Sequence, residues 1–163
     1  MIEASYKNDL FCANVEQHKL NLFRFAKSIL RNNEDAMDAV SEAILNAYIH
    51  LDTLRSQDKF KPWIMRILAN EAYKICATRK RVVYIEEISD LTTSDSIDDT
   101  LVLWSAVDAL SDDLRATVVL FYYDGFSVKE ISKIIGVSQG AVKTRLSRAR
   151  NKLQLILTDK GGL

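Results

Sequence analysis

The sequence predicts an all-α protein made of two small helical domains joined by a flexible acidic linker. Three observations predict it. Apolar residues recur with the helical period in several windows, the 163 residues hold only five glycines and one proline, and charge is segregated along the chain. Equal totals of 22 basic and 22 acidic side chains conceal that segregation. Residues 1–81 carry 13 basic and 10 acidic side chains, residues 82–113 carry none and nine, and residues 114–163 carry nine and three. Both ends therefore suit a polyanion, whereas the middle is repelled by one. A hydrophobic fraction of 48% argues against a disordered chain. The longest apolar run, Val118 to Tyr123, is far shorter than the roughly 18 residues of a membrane helix. Lys7, Asp9, Glu16 and Lys19 stand where a signal peptide needs its apolar core, so residence in the cytoplasm is expected.

The first domain is expected over residues 1–81. Residues 20–30 (LNLFRFAKSIL) and 35–54 both show helical periodicity, and in the second Val40, Ile44, Ala47 and Leu51 make one buried stripe. Asn33 is the expected cap of that second helix, with Glu34, Asp35 and Asp38 in its first turn, where the helix dipole favours negative charge. By that account alone, the exposed acids Asp38 and Glu42 are dipole compensation. Pro62 suits the first turn of a third helix beginning near Lys61, with Ile64, Ile67, Leu68, Ala72 and Ile75 as its packing face. Arg66, Asn70, Tyr73 and Lys74 lie off that face, and Arg79, Lys80 and Arg81 end the helix. Aromatic residues interleaved with these cations offer stacking and backbone neutralisation to a single nucleic-acid strand, although Trp63 reads as a core residue.

Residues 82–100 (VVYIEEISDLTTSDSIDDT) lack helical periodicity and are rich in Ser, Thr and Asp, which marks the linker. The second domain is expected over residues 101–163. Within it, Ile131, Ile134 and Ile135 form one apolar stripe, and Val142, Leu146, Ala149 and Leu153 form another on a longer helix. Gly136 supplies the backbone freedom of a tight turn between them, Val137 fills the corner, and Ser138 caps the next helix. Ser127 and Glu130 are spaced as a capping box. The pattern is a helix-turn-helix. Lys143, Thr144, Ser147 and Arg148 share the outward face of its second helix, with Gln139 one turn earlier and Arg145 and Arg150 flanking. No acid occurs between Lys133 and Leu157, so this face suits a DNA major groove.

Cys12 and Cys76 are far apart, and neither has metal-ligand spacing to His18 or His50. Free thiols in a reducing compartment are expected, with no metal and no cofactor.

Together these units resemble the extracytoplasmic-function (ECF) class of bacterial RNA polymerase sigma factors, part of the sigma-70 superfamily. DAMDAVSEAILNAYIHLDTLR is similar to the family's core-polymerase-binding helix, and FKPWIMRILANEAYKI to its F-x-x-W-L-x-x-I-A-x-N helix. DALSDDLRATVVLFYYDGFSVKEISKIIGVSQGAVKTRLSRARNKL resembles the family's fourth-domain signature. Ser41 stands in place of the usual Gln, Ile44 of Phe, Ser111 of a common Pro, and Ser132 of the Ala in EIA.

The resemblance implies a non-enzymatic factor that binds core RNA polymerase, directs promoter-specific initiation and aids DNA melting. It implies that Asp38, Ser41, Glu42, Leu45 and Asn46 meet the core enzyme, and that Arg55, Lys59, Phe60, Lys61, Asn70 and Lys74 handle melted minus-10 DNA. Gln139, Lys143, Thr144, Arg145, Ser147 and Arg148 would read duplex minus-35 DNA, and an anti-sigma factor is an expected partner. Neutralising Glu86, Glu87, Asp90 and Asp95 in the linker should alter initiation or escape more than promoter affinity. A polymerase-independent helix-turn-helix regulator would leave the first domain's two patterned helices unexplained. A nucleic-acid enzyme would need a carboxylate cluster or an activated nucleophile, and Asp38, Glu42 and Asp52 read as a solvated helix face.

Overall fold

The computed structural model describes residues 2–81 and 99–160, and every regular element within them is helical. Helix α1 runs Ile2–Leu30, α2 Asn33–Ile49, α3 Phe60–Arg81, α4 Asp99–Asp108, α5 Asp112–Val118, α6 Val128–Ile135 and α7 Gln139–Lys160. Two short 3-10 turns, Leu51–Thr53 and Gln57–Lys59, bridge α2 to α3, and a π turn, Val119–Tyr123, extends α5. Most of the expected linker, with Glu86, Glu87, Asp90 and Asp95, lies outside the described residues. Its last two residues, Asp99 and Thr100, open α4.

Helices α1, α2 and α3 pack pairwise into the first unit. Their apolar stripes meet at Leu22, Phe25, Val40, Ala43, Ala47, Ile64, Leu68 and Ala72, all buried. Burying a Leu or Phe side chain stabilises by about 1.5–3 kcal/mol, so this stripe supplies most of the unit's cohesion. Three small residues of α2, Ala36, Ala39 and Ala43, are almost fully covered and let the neighbouring helices approach closely. Helix α1 begins eighteen residues before the periodic segment. Its extension is anchored by Phe11, whose ring meets Tyr48 and Phe60 edge-on at 5.6 and 6.0 Å. The cap of α2 is Asn32, one residue earlier than expected, and its side chain accepts from the Asp35 backbone N–H at 2.8 Å.

The second unit forms as its local chemistry dictates. Ser127 and Glu130 complete both bonds of a capping box at 3.1 Å each. Gly136 adopts the left-handed conformation (φ 72) that ends α6, and Ser138 Oγ accepts from the Ala141 N–H at 3.1 Å to start α7. Helix α7 packs on α4, α5 and α6, with Val107, Leu110, Leu114, Val118, Val119 and Ala149 in a core of their own.

The two units also pack against each other. Helix α3 lies on α6, and α1 lies on α5 and its π turn. Consequently the larger buried cluster is shared: Leu120, Phe126, Ile131, Ile134, Val142 and Leu146 continue the core of α1–α3.

Candidate functional site

Three surfaces carry the residues singled out by the sequence. On α7, burial of Val142, Leu146 and Ala149 fixes the helix rotation, so Lys143, Thr144, Ser147 and Arg148 all emerge into solvent, with Gln139 at the start of the helix also exposed. Thr144 Oγ1 donates to the Gly140 carbonyl at 3.0 Å, which orients the hydroxyl and leaves its lone pairs outward. Arg145 departs from this face: it is half-buried, 3.9 Å from Asp113 Oδ2, and lines a cleft with Ser111, Asp113 and Arg148. Arg150 is held sideways, donating from Nε to the Tyr122 hydroxyl at 2.7 Å.

On α2, Asp38, Ser41, Glu42 and Leu45 make one exposed stripe. Leu45 is 53% exposed, and Met37 and Ile49, each 60% exposed, extend the stripe into an apolar patch edged by carboxylates. Such a patch suits a protein partner with basic rims. Asn46 does not belong to it. Its Nδ2 donates to Glu71 Oε1 on α3 at 2.6 Å, which binds the two helices together.

The third surface is the segment from α2 to α3 and the outer face of α3. Trp63 Nε1 donates to Thr53 Oγ1 at 3.3 Å, and Asn14 Nδ2 on α1 donates to Gln57 Oε1 at 2.9 Å, so the connecting segment is pinned at two points. Ser56 Oγ donates to Asp58, and that bond is the main reason the Asp58 carboxyl titrates below its ordinary value. Behind the segment lies an open cavity of about 380 Å³ lined by Asn46, His50, Thr53, Trp63, Arg66 and Asn70. It is walled by an aromatic ring and edged with donors and acceptors, which is the chemistry that holds an extruded base.

Arg55, Lys59, Asn70 and Lys74 are exposed here, Lys74 being paired with Glu71 at 3.3 Å. Phe60 is not at the surface. It is 1% exposed, packed against Phe11, Trp63 and the stacked ring of His18, and is a core residue. Burial, followed by the charge of Lys61, lowers the His18 pKa and favours its neutral form. Lys61 points toward the second unit, with Nζ donating to the Asp124 carbonyl at 2.7 Å and lying 4.9 Å from the Phe126 ring centre. Trp63 is partly buried against the core, as the sequence suggests. His50 and Thr53 complete the cavity without any local sequence signal, because the wall forms only when α2 and α3 pack, and Arg66 joins them from the outer face of α3.

Among the described residues, no group of three or more His, Cys, Asp or Glu side chains is placed to hold a metal ion, and both cysteines are free.

Comparison with known proteins follows the same division. The Sigma-70 region 2 family matches residues 15–82, and the Sigma-70, region 4 family matches residues 100–153. RNA polymerase sigma factor SigV of Bacillus subtilis is 32% identical over 150 residues, which is 90% of each chain. ECF RNA polymerase sigma factor SigW of the same organism is 27% identical over 93% of this chain and 90% of its own. The sigma factor RpoE of Bartonella quintana, solved in complex with the anti-sigma factor NepR, superposes with a TM-score of 0.76 at 29% identity, covering 91% of this chain and 96% of that one. With both sigma-70 regions matched in order and the likeness to SigV running nearly end to end, the chain belongs to the sigma-70 family of RNA polymerase sigma factors, in its extracytoplasmic-function class.

Proposed function

We propose that the chain binds core RNA polymerase through the α2 stripe, holds melted minus-10 DNA on α3 and the segment before it, and reads duplex minus-35 DNA with α7. The division of labour follows residues 1–81, the linker 82–100 and residues 101–163. The observation that carries the reading is the outward face of α7, where Lys143, Thr144, Ser147 and Arg148 are exposed together on a helix segment that carries no acidic residue of its own. Lys and Arg can meet guanine edges, and Thr and Ser can meet several bases.

The energetics favour one chain carrying both readers. Opening duplex DNA costs roughly 1.4 kcal/mol per stacked step, and extruding a base costs a few kcal/mol more. A cavity such as that of Trp63 and Asn70, which accepts only the extruded base, selects the open state and offsets that penalty. No group on this chain needs to make or break a covalent bond. An anti-sigma factor is the proposed regulator, by likeness to the Bartonella quintana complex. The workplace is the cytoplasm, where polymerase and promoter are; among the described residues no helix is long and apolar enough to cross a membrane.

Gel filtration of the purified chain with bare core polymerase, followed by footprinting of the mixture on promoter DNA, tests the reading. Co-elution and two protected patches, one near minus-35 and one near minus-10, are expected. Protection by the chain alone at both places would point to an independent DNA-binding regulator.

A further inference from the structure

Helix α7 carries a second cationic surface, turned aside from the face assigned to DNA bases. Arg145, Arg148 and Lys152 stand at i, i+3 and i+7, so they share one edge of the helix. With Asn151 they line an open cleft of about 490 Å³, whose other wall, Ser111 and Asp113, comes from the start of α5. The cleft is short of acceptors. Asp112 is engaged by Arg115 at 2.9 Å, and Asp113 lies 3.9 Å from Arg145 Nη2, too far for a hydrogen bond. The Arg145 side chain is only 24% exposed, so water reaches little of its planar fork of donors. Arg148 and Lys152 are exposed, and the Ser111 hydroxyl makes no cap bond to α5, which leaves it a donor for the cleft. Three cations stand against one carboxylate in a concavity of small-ligand size.

Phosphate is the anion that fits this donor set best: arginine forks bind its oxygens in pairs, and lysine, amide and hydroxyl add single donors. Seven residues of helix separate Arg145 from Lys152, a rise of about 10 Å, which suits a run of linked phosphates better than one phosphate group. We propose that the cleft between α5 and α7 is a binding site for a small oligophosphate, such as a nucleoside di- or triphosphate, that shares Arg148 with the base-reading face. Arg145 favours a free ligand over a duplex backbone, because its side chain turns toward Asp113 of α5 and away from the face of Lys143, Thr144 and Ser147. An occupied cleft withholds Arg148 from minus-35 DNA, so ligand and promoter compete. That competition rests on the reading of α7 as the duplex reader, whereas the binding does not.

The probe is inorganic tripolyphosphate, titrated by isothermal calorimetry into the full-length chain at low salt. One site is expected, and Arg145→Gln and Lys152→Gln should each weaken it at least about fivefold, as loss of a charge-assisted hydrogen bond gives. Lys152 is exposed, so its variant tests the site even where Arg145→Gln disturbs packing. Lys129→Gln, which removes an exposed cation on α6 outside the cleft, should weaken binding less than about twofold. Absence of binding overturns the proposal, and so do equal losses for Lys129→Gln and Lys152→Gln, the mark of diffuse charge attraction. The second source of phosphate is the DNA backbone, and Lys152→Gln separates the two. In assembled holoenzyme this variant should bind a fluorescent promoter fragment as wild type does. Saturating tripolyphosphate should weaken fragment binding at least about threefold for wild type but not for Lys152→Gln, relative to sulfate at matched ionic strength. A loss of about fivefold or more in fragment binding by Lys152→Gln without tripolyphosphate gives the cleft to the duplex and overturns the proposal. Failure of the α7 reading looks different: tripolyphosphate binds the free chain as described yet leaves fragment binding by wild type unchanged, which removes the competition and leaves the site.

Discussion

Arg115 Nη1 donates to the Ser28 carbonyl at 2.7 Å across 87 residues of sequence, so a guanidinium from the second unit closes the last turn of the first helix. The side chain is almost completely buried, and it also bonds the Leu110 carbonyl at 2.6 Å and Asp112 Oδ1 at 2.9 Å. Arg115→Met would leave two carbonyls without this donor, and hydrogen bonds to charged groups contribute about 1.5–3 kcal/mol each. Urea unfolding should show a loss of roughly 2–4 kcal/mol. A loss below about 0.5 kcal/mol, the range of ordinary surface substitutions, would contradict this account of Arg115.

Asp124 places a buried carboxylate at the junction of the units, and neither of its oxygens has a hydrogen-bond partner. Burial pushes its pKa up to about 6, against the opposing charges of Lys61 and Arg24. Because the folded pKa is raised, the folded state holds the proton more tightly than the unfolded chain. Stability linked to this group is fully present below the ordinary carboxylate pKa and is lost as pH rises through about 6. Asp124→Asn should therefore stabilise by about 1–2 kcal/mol at pH 7.5 and little at pH 4, read by urea unfolding at both values. The same gain at both pH values would show that the carboxylate ionises freely.

Gly136 ends α6 at φ 72, and a Cβ added there would meet nothing within 4 Å. The penalty of Gly136→Ala is then backbone strain alone, about 1–2 kcal/mol. Thermal unfolding should register it, with Gly136→Asn milder because Asn tolerates the left-handed region.

On α7, Lys143→Ala and Arg148→Ala should each weaken minus-35 recognition by holoenzyme by about 1–3 kcal/mol and relax base preference there. Both side chains are exposed, so folding and core binding should be unchanged. Promoter-fragment titrations with assembled holoenzyme check the first outcome, and core co-elution checks the second.

Leu45 and Ile49 are exposed apolar side chains on the α2 stripe. A double change to Ser should weaken core polymerase binding by about tenfold or more while leaving unfolding unaffected, as expected for truncation of buried interface anchors. Surface plasmon resonance against immobilised core polymerase reads the effect. Unchanged affinity would move the docking surface elsewhere.

The helix-turn-helix was legible because both faces of α7 are written in adjacent residues: the buried spacing of Val142, Leu146 and Ala149, and the cations between them. Its caps were legible for the same local reason. The cap of α2 slipped by one because Asn32 and Asn33 have equal capping chemistry, and what decides between them is the extended backbone at Asn32 (φ −132, ψ 154). Among the first eighteen residues of α1 only Phe11 is buried, and it acts through rings contributed by α2 and α3. Phe60 sits between two lysines, the pattern of a stacking platform, yet packing against Phe11 and Trp63 takes it inside. The hydrogen bonds of Lys61 and Arg115 between the units left no trace in the sequence, because their acceptors are backbone carbonyls that any residue would provide.

Run-off transcription with bare core polymerase, the purified chain and a library of genomic promoter fragments tests the central claim most directly. Discrete transcripts that require both proteins, and that disappear with the Leu45/Ile49 double variant, are predicted. A chain that fails to associate with the core enzyme, or a mixture that starts no transcript from any fragment, would contradict it.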